Sequence, residues 1–113
     1  MALTPKRLYG PALIATGPAT VYTVPASTKT ILRYIHVSNP SASPVTLTLS
    51  IGADAAGTRL WQTYEIKAAA SGVADSVRDF PVYIPMVAAE ILTLSSGTNN
   101  ILNITITGDE ITL

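Results

Sequence analysis

The residues able to do chemistry are few. The chain of 113 residues has one histidine, His36, with seven acidic and seven basic side chains and no cysteine. A histidine oriented by a carboxylate can activate a hydroxyl nucleophile, so His36 is the first candidate for a reactive centre. What is missing is a nucleophile in a telling context. There is no Gly-x-Ser-x-Gly elbow and no thiol. A glycosidase would need two carboxylates facing across a cleft, and among seven acids a chance pair is always available. No catalytic residue is assigned, and the chain is not expected to be an enzyme.

Metals and cofactors fare no better. Zinc would require several His or Cys ligands. Asp75 and Asp79 lie four apart in "ADSVRDF", and Asp54 lies in the Gly52–Thr58 loop. None shows the dense oxygen-ligand spacing of a calcium loop. "GADAAG" lacks the Gly-Lys-Ser/Thr ending of a phosphate cradle. Asn103-Ile104-Thr105 fits the glycosylation pattern, but it falls inside a predicted strand and reads as chance. No metal and no cofactor are expected.

Recognition chemistry is what remains, and its candidates are Trp61, Tyr34, His36 and Tyr64, as interface or ligand contacts. If Arg59 to Lys67 is a regular strand, Leu60, Gln62, Tyr64 and Ile66 share one face. Trp61, Thr63 and Glu65 share the other, more polar one. There Trp61 would anchor a partner subunit or a sugar ring. A single bulge would flip the phase and bury it, and the buried reading is the favoured one. In the strand around His36, Ile31, Arg33, Ile35 and Val37 share a face richer in aliphatics. Leu32, Tyr34, His36 and Ser38 share the other, which puts His36 at a surface or subunit contact. A glycan platform would combine Trp61 with Tyr34, Tyr64 or Tyr83.

The elements that must position these side chains are strands. Threonine, valine, isoleucine and tyrosine recur in short runs separated by proline or glycine. The runs are Thr20 to Val24, Lys29 to Ser38, Val45 to Ile51 and Arg59 to Lys67, then Phe80 to Met86, Ile91 to Leu94 and Ile101 to Thr107. Leu8 to Ala15 is a plausible first strand. Gly108-Asp109 predicts a two-residue hairpin turn into a last strand, Glu110 to Leu113. Val45, Leu47, Leu49 and Ile51 alternate with Thr46, Thr48 and Ser50, the period of a half-buried strand. "SNPSASP" before that run predicts a hairpin with the strand of His36. Pro81 and Pro85 predict an edge position for their strand, because proline cannot donate to a ladder. No segment sustains a helical period, although "MVAAEIL" could make one turn. The expected fold is all-β: a single antiparallel β-sandwich of eight or nine short strands, jelly-roll or immunoglobulin-like, formed as one domain by residues 1–113.

Composition agrees. Hydrophobic residues make up 48%, enough for a core, and charged residues only 12%, about half the usual share. Neither sign clusters, which argues against nucleic acid or a polybasic membrane patch. No run reaches the roughly 18 apolar residues of a membrane helix. "MALTPKRLYGPALIATG" does not read as a signal peptide, since its cations follow Pro5 and Gly10, Pro11 and Gly17 interrupt it. A surface so poor in charge resists association weakly, which suits a subunit held inside an assembly.

Ala19 to Gly52, "ATVYTVPASTKTILRYIHVSNPSASPVTLTLSIG", resembles small structural proteins of tailed bacteriophages. The pattern is a "lYtVPa" strand, a Thr/Lys turn, a strand of "hlxxihvsN" type, a Ser/Ala/Pro turn and an alternating "VTLtl" strand. Here these are Val21 to Ala26, Ile31 to Asn39 and Val45 to Ile51. "MALTPKRL" and "VYIPMVAAEILTL" also fit, with Glu90 where the family often has glycine. The resemblance implies a non-enzymatic β-sandwich subunit of a virion, assembled in the host cytoplasm. It would be tail, tail-tip or fibre associated, or a capsid decoration protein. Such proteins are commonly homo-oligomers, with a trimer favoured, and their partners are other virion proteins. A carbohydrate-binding role on a host surface glycan is the alternative. The family offers no functional residues to transfer.

Overall fold

The computed structural model describes residues 2–55, 57–68 and 77–113. Within them are eight strands: β1 (Ala2–Leu13), β2 (Ala19–Thr23), β3 (Thr28–Ser38), β4 (Val45–Ile51), β5 (Arg59–Ile66), β6 (Val77–Met86), β7 (Ile91–Ser96) and β8 (Asn103–Thr112). Asp75 lies outside the described residues.

β1 pairs with β8, β2 with β7, β3 with β6 and β4 with β5, all antiparallel. The chain is therefore one long ribbon folded back at the β4–β5 loop. The ribbon rolls up, so that β8 also meets β3 and β7 also meets β4. Two four-stranded sheets result, β1-β8-β3-β6 and β2-β7-β4-β5. This is a jelly roll rather than an immunoglobulin-like sandwich.

The period of two builds the core. Val45, Leu47 and Leu49 of β4 are buried, and Thr46 and Thr48 between them are not. Leu32, Ile35, Val37, Ile104 and Ile106 bring the same face of the other sheet into the same apolar cluster. Each such side chain contributes about 1.5–3 kcal/mol by leaving water.

The Ser38–Pro44 turn is not a hairpin. β3 and β4 belong to different sheets, so the segment crosses between them. Asn39, which is buried, holds the crossing. Its amide nitrogen donates to Ser43 O at 2.9 Å and to Ile66 O at 3.1 Å, and its oxygen accepts from Ser41 N and Oγ. Local alternation is the same for a hairpin and a crossing, which is why the sequence pattern misassigned it.

The predicted turn at Gly108-Asp109 is also absent, because β8 runs straight through it. Gly108 sits opposite Leu32 of β3 and Lys6 of β1. A Cβ there would run into the carbonyl oxygen of Ile31. Glycine is required by a close backbone approach and not by a turn. The approach lies where β3 bulges. Leu32 pairs with Gly108 and Tyr34 with Thr107, leaving Arg33 as an extra residue. The bulge resets the alternation of β3. Leu32 joins Ile35 and Val37 in the core, while Ile31 and Arg33 turn outward with Tyr34, His36 and Ser38. Regular alternation had exchanged the places of Ile31 and Leu32 and put Arg33 inside.

A polar clasp ties the sheets together at one end. The Tyr22 hydroxyl of β2 donates to Glu110 Oε2 of β8 at 2.5 Å and lies 2.8 Å from Thr30 Oγ1 of β3. The one phenolic proton goes to the carboxylate, so Thr30 donates to Tyr22. Lys6 Nζ adds an ion pair to Glu110 at 3.2 Å. Burial, then the bond to Glu110, push the Tyr22 phenol up to about 12. The same bond holds the Glu110 carboxyl below its ordinary value, helped by Lys6 and opposed by burial.

Candidate interaction face

Directly opposed residues on neighbouring strands share one face of a sheet. Across β1-β8-β3-β6 the outward rows are Leu3–Ile111–Lys29, Pro5–Asp109–Ile31–Pro85, Arg7–Thr107–Tyr34–Pro81, Thr105–His36–Asp79 and Leu13–Asn103–Ser38–Val77. Tyr83, 64% exposed, projects between the second and third rows. Leu3, Leu13, Tyr34, Val77 and Tyr83 are all exposed here. The outer rows of the second sheet read Thr20–Thr93–Ser50–Arg59, Ser95–Thr48 and Thr46–Glu65. One outer face sets exposed aliphatic and aromatic side chains among charged ones; the other is a carpet of hydroxyls. The Gly52–Thr58 loop folds over part of that carpet, with Thr93 Oγ1 donating to Gly52 O at 2.7 Å. Asp54 in the loop accepts from Arg59 Nε at 2.8 Å, and that bond draws its carboxyl below the ordinary value.

Two ion pairs are set into this face. Arg33 Nε donates to Asp109 Oδ2 at 2.9 Å, and its guanidinium lies 5.1 Å from the Tyr83 ring centre. The bulge at Arg33 aims it there. His36 Nδ1 lies 2.5 Å from Asp79 Oδ1, both side chains being open to solvent. Partial desolvation, and then the charge of Asp79 and a hydrogen bond to it, raise the Tyr34 phenol. His36 thus belongs to a surface Tyr34–Asp79–His36 cluster. Among the described residues no group of three or more His, Cys, Asp and Glu could hold a metal ion.

Trp61 is placed elsewhere. Tyr64 stands opposite Leu47 and Trp61 opposite Leu49, so residues 62 and 63 both face the single position of Thr48. This bulge flips the phase, and Trp61, Tyr64 and Ile66 all point inward. Trp61 therefore faces inward, as the favoured buried reading had it, and Leu60 is the exposed residue, at 43%. The Trp61 ring packs 4.5 Å from Phe80 of β6, and Tyr64 meets Phe80 edge-on at 5.3 Å. The guanidinium of Arg78 caps Tyr64 and Phe80 at 5.8 and 5.7 Å. These rings close the sandwich between β5 and β6. The four sequence candidates are split: Tyr34 and His36 lie on the outer face, Trp61 and Tyr64 between the sheets. The sequence reading missed the Arg33–Asp109 pair, whose partners are far apart in the chain and meet only through β-register.

No protein-family model matches the chain, and no curated protein sequence matches it. Its structure is similar to that of a chain from Bacillus endospore appendages, described as a novel family of disulfide-linked pili. The TM-score is 0.55 at 13% identity, over 98% of this chain and 88% of that one. A chain of the cyanophage Pam1 capsid gives 0.48 at 14% identity, over 98% and 82%. A CBM35 from Paenibacillus barcinonensis gives 0.40 at 12%, over 94% and 87%. At 13% identity the endospore-appendage chain shows a shared fold alone. Among the described residues no helix is long and apolar enough to cross a membrane.

Proposed function

We propose that the chain is a non-enzymatic structural subunit of a tailed-phage virion, associated with the tail, tail tip or fibre, working through oligomeric assembly and contact at one sheet face. The observation that carries this reading is the contrast between the two outer faces. An exposed face with Leu3, Leu13, Tyr34, Val77 and Tyr83 on it marks a contact surface, whereas a threonine and serine face is content in water.

The edges of the same sheet point to contact through the face. β1 contains Pro5 and Pro11, and β6 contains Pro81 and Pro85. Proline withholds the amide that an added strand would need. The pilus-type relative is disulfide-linked. This chain has no cysteine, so its own contacts are not disulfides. The phage resemblance of Ala19 to Gly52 supplies the virion setting, with copies of itself, as a trimer, and other virion proteins as partners. Capsid decoration would use the same face and is the alternative to tail association.

Sedimentation velocity over a range of concentrations tests this. Wild type is expected to self-associate, and the Leu13→Ser, Tyr83→Ser double variant to dissociate without losing its fold. A strictly monomeric wild type with no affinity for virion components would overturn the proposal.

A further inference from the structure

The outer face of the β1-β8-β3-β6 sheet contains an open recess. A cleft of about 370 Å³ opens over β1, β8 and β3, lined by Pro5, Lys6, Arg7, Arg33, Thr107 and Asp109. Lys6, Arg7 and Arg33 line it, although Lys6, opposite Gly108 and Leu32, sends its ammonium to Glu110 on the inner side of the sheet. Two are already neutralised, Arg33 by Asp109 and Lys6 by Glu110. Arg7 makes no ion pair among the described residues, whose pairs are five: Lys6–Glu110, Arg33–Asp109, His36–Asp79, Arg59–Asp54 and Lys67–Glu65. The recess therefore has one uncompensated positive charge, carried on a fork shaped for a carboxylate.

A second copy of the chain is a poor source of that carboxylate. Those five pairs use Asp54, Glu65, Asp79, Asp109 and Glu110, and Glu90 caps the backbone of Val87 at 2.7 Å. Every described acid is thus already engaged. The occupant must bring its own anion, and the rest of the lining says what surrounds that anion. Thr107 can donate or accept, and Asp109 can accept from hydroxyl groups. The Pro5 ring offers an apolar surface to a C–H face. A carboxylate on a ring bearing several hydroxyls satisfies all of these. The volume is at the small end of the roughly 300–1,000 Å³ of ligand pockets, which suits one sugar residue rather than an extended chain.

We infer that this cleft binds an acidic sugar residue of a polysaccharide, with the sugar carboxylate on Arg7 and its ring hydroxyls on Thr107 and Asp109. The inference rests on the tail-tip reading above, with the cleft left open at the β1 edge beside the self-contacts of this face, and names the ligand class of that cleft.

The test is calorimetric titration of the purified full chain with oligogalacturonate, and with an uncharged malto-oligosaccharide of equal length. Wild type is expected to bind the first and not the second, more weakly as salt is raised. Arg7→Gln should weaken binding about tenfold or more, the loss of one charge-assisted hydrogen bond. Arg7→Lys should fall between the two, with melting temperature unchanged in both, since Arg7 is exposed. Equal binding of the neutral oligomer, undiminished binding by Arg7→Gln, or no binding of oligogalacturonate would each overturn the inference. So would inorganic phosphate displacing the oligomer as well as monomeric galacturonate does, which would leave an anion site without sugar recognition. If oligogalacturonate fails to bind while wild type still self-associates through the face, only this inference falls. A monomeric wild type that binds it would instead remove the assembly reading.

Discussion

Replacing Tyr22 by phenylalanine removes a single oxygen from the end of the sandwich where the two sheets meet. That oxygen makes two hydrogen bonds, one to the Glu110 carboxylate and one from Thr30. A bond to a charged group contributes about 1.5–3 kcal/mol and a neutral one about 0.5–1.5. The carboxylate keeps Lys6 and gains some water, because its side chain is 14% exposed. Thr30 is fully buried and loses its partner outright. A net cost of about 2 kcal/mol follows. For 113 residues, at about 2.1 cal/mol/K of unfolding entropy each, this lowers the melting temperature by about 8 °C. The pH dependence identifies the cause. Glu110 has its folded pKa depressed, so its contribution is full above the unfolded carboxylate value and is lost as pH falls through the folded one. Tyr22 has its folded pKa raised, so its contribution is full below 10 and is lost as pH rises through about 12. The wild-type advantage over Tyr22→Phe should therefore be flat near neutrality and shrink in acid and in strong alkali. Urea unfolding of both proteins from about pH 3 to pH 11 measures it. A difference under about 0.5 kcal/mol at neutral pH, or one that does not change in acid, would refute the clasp.

Two further substitutions test the corrected strand geometry. Gly108→Ala should destabilise the protein by more than about 1 kcal/mol, because the added methyl meets the Ile31 carbonyl inside a central strand; a true hairpin glycine would be replaced in solvent. Thermal melting decides this, and an unchanged melting temperature would contradict the close approach. Trp61→Ala should cost about 3 kcal/mol through loss of the Phe80 contact. His36→Ala, at an exposed pair, should cost less than about 1 kcal/mol and abolish no hydrolytic activity; the reverse ranking by urea unfolding would return Trp61 to the surface.

Much of the fold is written in residue order. β4 shows why: Val45 to Ile51 alternates apolar and hydroxyl residues, and side chains on a strand point alternately up and down whatever the partner. Strand existence, the absence of a helical period and the edge position of the proline-bearing β6 are all of this kind. The low charge and the missing thiol are likewise properties of composition, and they limit the chemistry open to the chain before any fold is known.

The interaction face is of another kind. Bulges at Arg33 and at residues 62 and 63 each shift the phase of a strand by one residue, and each shift exchanges inside for outside. They move Leu32 and Trp61 inward and turn Ile31 and Arg33 outward, yet no local pattern marks them. A bulge forms where the opposing strand and the packing beneath require it, as at Gly108, where two backbones approach too closely for any Cβ. Register between strands far apart in the chain brings Arg33 to Asp109, His36 to Asp79 and Arg7 to the cleft. The sequence by itself determined most of the strands, their alternation and the absence of cysteine, because those depend on each residue and its neighbours. Only the tertiary structure decided which aliphatic and aromatic side chains stay exposed, where the tryptophan points and that Arg7 lines the cleft without an ion pair among the described residues, because those depend on how the ribbon rolls.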